Sequence, residues 1–154
     1  MELLTEILKD TNFQKPQKLT KFAINIYTKD DHDSLMELYD NVFPGYMNEN
    51  LWNWKNYKNP FGKFLTMLMK DGSKIIGSYS VAPKFFFLNG IKHKCVQSMD
   101  TMTDENYRGL GISTYLANLT YEYAKRKGYN FVYGFPNEAS RYLFAVKLEW
   151  DNVA

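Results

Sequence analysis

Two closely spaced glycines stand at Tyr107-Arg108-Gly109-Leu110-Gly111-Ile112-Ser113, directly before a stretch of helical periodicity that runs to Gly128. A Gly-x-Gly turn at the start of a helix presents backbone N–H groups that have no intrahelical acceptor, and the helix dipole adds partial positive charge. Anions bind readily at such a turn, and Arg108 adds a fixed charge. The segment therefore predicts an anion site. It does not name the ligand, and a merely tight loop is an alternative at this point.

Two widespread phosphate-binding motifs are absent from the sequence. No Gly-x-x-x-x-Gly-Lys-Ser/Thr occurs, which excludes a P-loop. The dinucleotide-binding fingerprint also fails, because its third glycine and its downstream acidic residue are missing.

The region before the glycines predicts a strand, two helical segments and two hairpins. Alternating apolar residues predict a strand over 21–28, an apolar stripe predicts a helix over 30–43, and residues 50–62 predict a short helix plus a loop. Asp71-Gly72 and Asn89-Gly90 are hairpin dipeptides. Four antiparallel strands are therefore expected at 64–69, 74–81, 85–88 and 91–103.

After the glycines, a helix leads to a short apolar strand over 131–135 and a further helix over 138–147. A crossover from the strand ending near Thr103 to the strand at 131–135 forms a right-handed βαβ unit with a parallel strand pair. We therefore expect an α/β (α+β) fold. Its sheet is mixed but mostly antiparallel and flanked by helices, and a cleft opens between these two strands.

Arg108 to Ser113 resembles the coenzyme A signature of the GNAT superfamily of N-acetyltransferases, Gln/Arg-x-x-Gly-x-Gly/Ala, although Ser113 stands where Gly or Ala is usual. A second segment, Gly134-Phe135-Pro136-Asn137-Glu138-Ala139-Ser140, resembles the later strand-to-helix motif of the family. Lys147-Leu148-Glu149-Trp150 resembles its closing Leu-Gly-Trp, with Glu in place of Gly. The resemblance covers about residues 21 to 150 and implies the GNAT fold. That fold normally continues into further strands, so C-terminal strands are expected to be missing from this chain.

The resemblance implies acetyl-CoA as co-substrate and no metal. The strand edge at Met102 and Thr103 would hydrogen-bond the pantetheine arm, and Asn137 would contact that arm from the other side. The pyrophosphate would be held by the residues of the turn, namely Arg108, Gly109, Leu110, Gly111, Ile112, Ser113 and Thr114.

In this family the amine attacks the thioester directly, and a strand amide, here near Met102, would stabilise the oxyanion. Asp100 is the expected general base, directly or through water, although strand alternation could turn its side chain elsewhere. Asp104 and Glu105 are expected in the solvated turn. Many relatives carry a tyrosine four residues before the closing glycine as the acid that reprotonates the thiolate, but that position is Ala145 here. Tyr142, one helical turn earlier, is the expected substitute, with ordinary packing as the alternative.

Composition bounds the class of protein. A chain of 154 residues with 45% hydrophobic residues predicts one domain. The resemblance implies that this chain consists of an N-terminal helix and extension (1–20) and an acetyltransferase domain (21–154). A net charge of +2 with scattered lysines indicates no nucleic-acid partner, and the lack of a long apolar run indicates no membrane span. One cysteine, Cys95, and an N-terminus unlike a signal peptide favour the cytoplasm.

Two aromatic groups have open interpretations. Trp52, Trp54, Tyr57 and Phe61 either line the acceptor pocket or fill the core. The run 85–87, three phenylalanines, is more apolar than a strand with one buried face needs. It indicates burial on both faces or a contact with another chain or domain, as in a homodimer or with a missing C-terminal portion.

The sequence predicts an N-acetyltransferase that acts on a primary amine of a small molecule or peptide. The first alternative is a catalytically silent acyl-CoA-binding or interaction module, because the usual tyrosine is missing and the chain ends soon after Trp150. The second is a generic nucleotide-binding domain.

Overall fold

A single five-stranded sheet organises residues 2–152, which are the residues that this computed structural model describes. Its strands, which neighbour one another in chain order, are β1 (Ala23–Ile26), β2 (Leu65–Asp71), β3 (Lys74–Leu88), β4 (Ile91–Thr103) and β5 (Phe131–Tyr133). The pairs β1–β2, β2–β3 and β3–β4 are antiparallel, and β5 runs parallel to β4. The expected mixed, mostly antiparallel sheet is confirmed.

Among the described residues, five α-helices flank the sheet, namely α1 (Glu2–Lys9), α2 (His32–Val42), α3 (Glu49–Asn53), α4 (Ile112–Arg126) and α5 (Glu138–Tyr142). A π-helical turn, Trp54–Lys58, extends α3, and another, Leu143–Lys147, extends α5. None of the described helices is both long and apolar enough to span a membrane.

Two buried clusters lie on opposite faces of the sheet. Consecutive residues of β2 alternate between them, since Met67 and Met69 belong to one cluster and Leu68 to the other. The first cluster includes side chains from α1 and α4, and the second includes side chains from α2 and α3. Cys95 is fully buried in β4, as expected for a structural cysteine.

One long strand replaces two of the predicted strands. The segments 74–81 and 85–88 both belong to β3, which continues through Pro83. β2 pairs with β3 only as far as Val81, so at Pro83 the strand has β4 alone as a neighbour. A proline lacks the N–H for a second ladder and is tolerated where one side of a strand is open. The prediction of a strand break here was therefore wrong.

The close approach of β3 to the start of α4 depends on Gly77. A Cβ added there would lie 2.5 Å from Cγ2 of Ile112. We expect Gly77→Ala to lower the free energy of unfolding by about 1–3 kcal/mol, because the methyl overpacks this contact. Urea denaturation measures the change. In an Ile112→Ala background the same substitution should destabilise much less, and an equal loss in both backgrounds would contradict this packing.

Candidate functional site

β4 and β5 separate partway along their length. They pair only at three positions, from Cys95 with Phe131 to Gln97 with Tyr133. β4 then continues to Thr103 without β5 beside it. A Cβ on Gly134 would lie 3.1 Å from the ring of Trp150 and 3.4 Å from Cβ of Ser98, so Trp150 packs where the strands part. The expected opening between the end of β4 and β5 begins at this point.

A β-bulge lies on β4 beside this opening. Met99 pairs with Ser80 and Met102 pairs with Ser78, so Asp100 and Thr101 together oppose one residue of β3. Asp100 has a left-handed φ of 50°. A bulge interrupts the ladder and leaves backbone groups of the extra residue without a strand partner. The bulge therefore makes main-chain polar groups available on β4 next to the opening.

The turn 108–111 follows a single turn of 3-10 helix, Glu105–Tyr107, and leads into α4. Gly109 and Gly111 have φ values of 77° and 81°, a conformation that residues with a Cβ rarely adopt. Gly111 is the N-cap of α4 and provides no side-chain acceptor, so the first amides of the helix lack intrahelical and capping partners. Ile112 is buried and fixes the start of the helix. The structure thus brings the predicted residues 108–114 together at one helix N-terminus.

Ser113, which departs from the family signature, joins this turn to β4. Its Oγ lies 2.8 Å from Oγ1 of Thr103, within hydrogen-bond distance. The hydroxyl therefore links the last residue of β4 to the first turn of α4. Met102, the neighbouring residue on β4, is buried with its side chain in the cluster formed with α2 and α3. The predicted strand edge and the predicted anion turn are therefore joined by a direct contact between two side chains.

Asp104 holds the start of the turn in place. Its carboxylate accepts a hydrogen bond from the backbone N–H of Asn106 at 2.9 Å and pairs with Nζ of Lys74 at 2.7 Å. The hydrogen bond from Lys74 is the main reason that the pKa of Asp104 lies below its ordinary value. Asp104 is buried whereas Glu105 is exposed, so the expectation of a solvated turn was wrong for Asp104.

We expect Asp104→Ala to destabilise the protein by about 1 kcal/mol at neutral pH, because it removes the cap of the turn. The pKa of Asp104 is lower in the folded protein than in the unfolded chain, where it is about 3.9. The carboxylate therefore stabilises the folded state fully at pH values above about 3.9, and this stabilisation is lost as the pH falls through the pKa of the folded state. The stability difference should therefore shrink in acid. Urea denaturation from pH 3 to 7 measures it, with the exposed Glu105→Ala as control. A difference that does not change with pH would contradict this assignment.

Asp100 lies in a buried polar cluster between the bulge and the α2–α3 region. Its Oδ2 accepts hydrogen bonds from Nζ of Lys55 at 2.5 Å and from the hydroxyl of Tyr39 at 3.0 Å. Its Oδ1 receives only a longer bond, 3.3 Å, from the hydroxyl of Tyr46. The side chains of Lys55 and Asp100 are 3% and 7% exposed, so this ion pair is almost fully buried. Oδ1 is the less occupied oxygen of the carboxylate.

The two tyrosines of the cluster differ in their surroundings. Burial first, and the negative charge of Asp100 second, raise the pKa of Tyr39 well above its ordinary value, so Tyr39 remains a neutral donor. Tyr46 is 44% exposed and connects Oδ1 of Asp100 to the surface. Tyr46 also accepts a hydrogen bond from Lys55 at 3.1 Å. Solvent therefore contacts the cluster at Tyr46 and is excluded from it at Tyr39.

Asn137 and Tyr142 belong to the region that follows β5. Asn137 caps α5, since its Oδ1 accepts the backbone N–H of Ser140 at 2.9 Å. Tyr142 is 60% exposed, and Nζ of Lys147 lies 5.7 Å from its ring centre. The sequence predicts that Asn137 binds pantetheine and that Tyr142 donates a proton. Both roles stay predictions.

The aromatic residues after α2 divide between the two interpretations. Trp52 is buried and packs against Tyr27, with ring centres 5.0 Å apart. Trp54, Tyr57 and Phe61 are about half exposed. Only Trp52 therefore fills the core.

The phenylalanine run of β3 is exposed rather than buried on both faces. Phe87 has 68% of its surface exposed, and Phe85 and Phe86 are also exposed in the described part of the chain. A contact of this run with another chain or domain stays a prediction.

Lys55 and Tyr46 were missed at the level of sequence. Lys55 follows the buried Trp52 by three residues, which places both on the same side of a helical segment. That spacing could have identified Lys55 as an inward-facing cation. No such pattern marks Tyr46, which lies in the loop before α3. Among residues 2–152, no cluster of His, Cys, Asp and Glu is arranged to hold a metal ion.

A family model described as an acetyltransferase (GNAT) domain matches residues 23–151. A curated relative from Methanocaldococcus jannaschii, described as an uncharacterized N-acetyltransferase, is 29% identical over 119 residues, which are 72% of this chain and 51% of the relative. The chain thus spans about half the length of that relative.

Solved structures share the fold at low sequence identity. An acetyltransferase of Trypanosoma brucei superposes with a TM-score of 0.69 at 20% identity, covering 86% of this chain and 94% of its own. Glucosamine-6-phosphate N-acetyltransferase of Arabidopsis thaliana gives 0.67 at 16% identity, with 86% and 93% covered. An aminoglycoside 6'-N-acetyltransferase of Acinetobacter baumannii gives 0.66 at 14% identity, with 85% and 91% covered.

Proposed function

Since the chain belongs to the GNAT family of acetyltransferase domains, we propose that it transfers an acetyl group from acetyl-CoA to a primary amine. The observation that carries this proposal is the position of the glycine turn. Residues 108–114 form a helix N-terminus of the kind that binds anions, shortly after a strand whose edge is open beyond Gln97. A pyrophosphate at the turn and an extended pantetheine along the strand fit this arrangement.

The residues present suit acetyl-CoA as a co-substrate. A Cβ added at Gly109 would meet no atom within 4 Å, so the backbone of the turn is open to an approaching phosphate. Arg108 is exposed next to it and supplies positive charge. The open edge of β4 at Met102 and Thr103 supplies main-chain groups for the amides of pantetheine, and Asn137 contacts it from the side of α5.

The acceptor amine attacks the thioester carbonyl, the carbon–sulfur bond breaks, and the coenzyme A thiolate leaves. A main-chain N–H of the bulge near Met102 stabilises the negative charge that develops on the carbonyl oxygen. The left-handed conformation of Asp100 supports this role, because the bulge frees main-chain groups from the ladder.

Asp100 removes the proton of the amine through its less occupied oxygen, Oδ1. The hydroxyl of Tyr46 lies 3.3 Å from this atom and 44% of Tyr46 is exposed, so the proton can pass to solvent along that path. Lys55 and Tyr39 occupy Oδ2 and hold the carboxylate in place. Tyr142 returns a proton to the thiolate.

The acceptor is a small-molecule or peptide amine that enters on the side of α2 and α3. On this side, the hydroxyl of Tyr46 connects the carboxylate of Asp100 to the surface. The exposed rings of Trp54 and Tyr57 lie in the adjoining segment. Fold neighbours named for glucosamine-6-phosphate and for aminoglycosides make amino sugars the first acceptors to examine.

A silent acyl-CoA-binding module is the second candidate, and one observation favours it. The proposed base is already paired with a buried lysine in this structure. An acetyl-transfer assay across amino sugars, polyamines and peptides distinguishes the two functions by following free thiol release. Amine-dependent release supports the acetyltransferase, whereas binding of acetyl-CoA without release for any amine would support the silent module.

A further inference from the structure

Lys18 lies beside the glycine turn although the two are 91 residues apart in sequence. Its Nζ is 3.4 Å from the carbonyl oxygen of Gly109, a long hydrogen bond. A Cβ built on Gly111 would point at the same ammonium group, at 4.0 Å. The side that Gly111 leaves empty therefore faces a cation.

The backbone around Lys18 is held firmly. Leu19, the next residue, is fully buried in the core cluster. Phe22 is also buried, and its ring meets the ring of Tyr107 edge-on with centres 5.8 Å apart. These contacts attach the N-terminal segment to the residue directly before Arg108. The position of Lys18 next to the turn is therefore set by the core.

The charge of Lys18 is not neutralised by the protein. Within the described residues no carboxylate lies within ion-pair distance of Lys18 or of Arg108, whereas the nearby Asp104 is paired with Lys74. Lys18 is exposed, and its one hydrogen bond to a carbonyl is long, so turning toward a phosphate costs little. A charge-assisted hydrogen bond to a phosphate oxygen would be stronger than the present bond.

We propose that Lys18 is a cofactor-binding residue that contacts the pyrophosphate of coenzyme A, opposite the amides of the α4 N-terminus. This inference rests on the proposed function. The pyrophosphate is assigned rather than the 3′-phosphate, because the ammonium group lies against the two glycines themselves. The N-terminal extension thus contributes to the cofactor site, and does more than pack against α4.

Calorimetric titration with coenzyme A and with dephospho-coenzyme A, which lacks the 3′-phosphate, tests this proposal. Lys18→Met should raise the dissociation constants of both ligands by the same factor, roughly tenfold. Lys21→Met is the matched control and should bind like the wild type, because Lys21 lies over the ring of Phe22, 4.9 Å from its centre. The exposed position of Lys18 means that thermal melting should be unchanged in the variant.

Each other outcome overturns the inference. If Lys18→Met binds both ligands with wild-type affinity, Lys18 does not contact the cofactor, and the proposed function is unaffected. A loss of affinity for coenzyme A, with unchanged affinity for dephospho-coenzyme A, would show that Lys18 contacts the 3′-phosphate instead of the pyrophosphate. Failure of the wild-type protein to bind either ligand would remove the proposed function together with this inference.

Discussion

Lys55→Met is expected to lower the free energy of unfolding by about 3–5 kcal/mol, because it leaves the carboxylate of Asp100 buried without its cation. Lys55 is 3% exposed, and the hydroxyls of Tyr39 and Tyr46 cannot supply the lost charge. Urea denaturation at neutral pH measures the effect. Removal of either partner of this buried ion pair is the largest loss of stability that we expect from a single substitution in the site.

Two further variants separate the ion pair from ordinary packing. Lys58→Met removes an exposed lysine from the same π-helical turn and should change stability little. The double variant Lys55→Met with Asp100→Asn should recover much of the loss, because no buried charge then remains unpaired. Equal stability of Lys55→Met and the wild type would show that Asp100 is not held as a buried carboxylate.

Asp100→Asn is expected to lower kcat by roughly 100- to 10,000-fold while leaving the affinity for acetyl-CoA unchanged. Asparagine tolerates the left-handed backbone of this position and keeps an oxygen for Tyr39, but its amide cannot accept the proton of the amine. Steady-state kinetics with the best acceptor gives kcat, and calorimetry gives the affinity for acetyl-CoA.

Tyr46→Phe is the control for the proton path. It keeps Asp100 and Lys55 but removes the hydroxyl next to Oδ1, so a smaller loss of kcat is expected than for Asp100→Asn. Thermal melting of both variants checks that the fold is retained. Turnover of Asp100→Asn at the wild-type rate would make Asp100 a structural partner of Lys55 and would require a different base.

Local patterns in the sequence predicted most of the fold. The two hairpin dipeptides lie at the tips of β2–β3 and β3–β4, and the apolar stripe after Gly111 forms the buried face of α4. The continuation of β3 through Pro83 could not be predicted, because it depends on where β2 stops pairing. That boundary is a property of the assembled sheet and not of the residues around Pro83.

The candidate site likewise has one part that the sequence predicted and another part that it could not predict. Residues 108–114 are contiguous, so their chemistry and spacing predicted an anion turn that the structure brings together at the start of α4. The partners of Asp100 come from other parts of the chain, since Lys55 is 45 residues and Tyr39 is 61 residues away. Lys18 reaches Gly109 across 91 residues. Contacts of this kind arise only when the sheet and its flanking helices are packed.

Calorimetric titration of the wild-type protein with acetyl-CoA tests the central claim most directly. The glycine turn and the open edge of β4 predict saturable one-to-one binding that weakens as salt is added, because phosphates carry much of the interaction. Folded protein that takes up no acetyl-CoA would contradict the assignment of residues 108–114 as a coenzyme A site, and the proposed acetyl transfer with it.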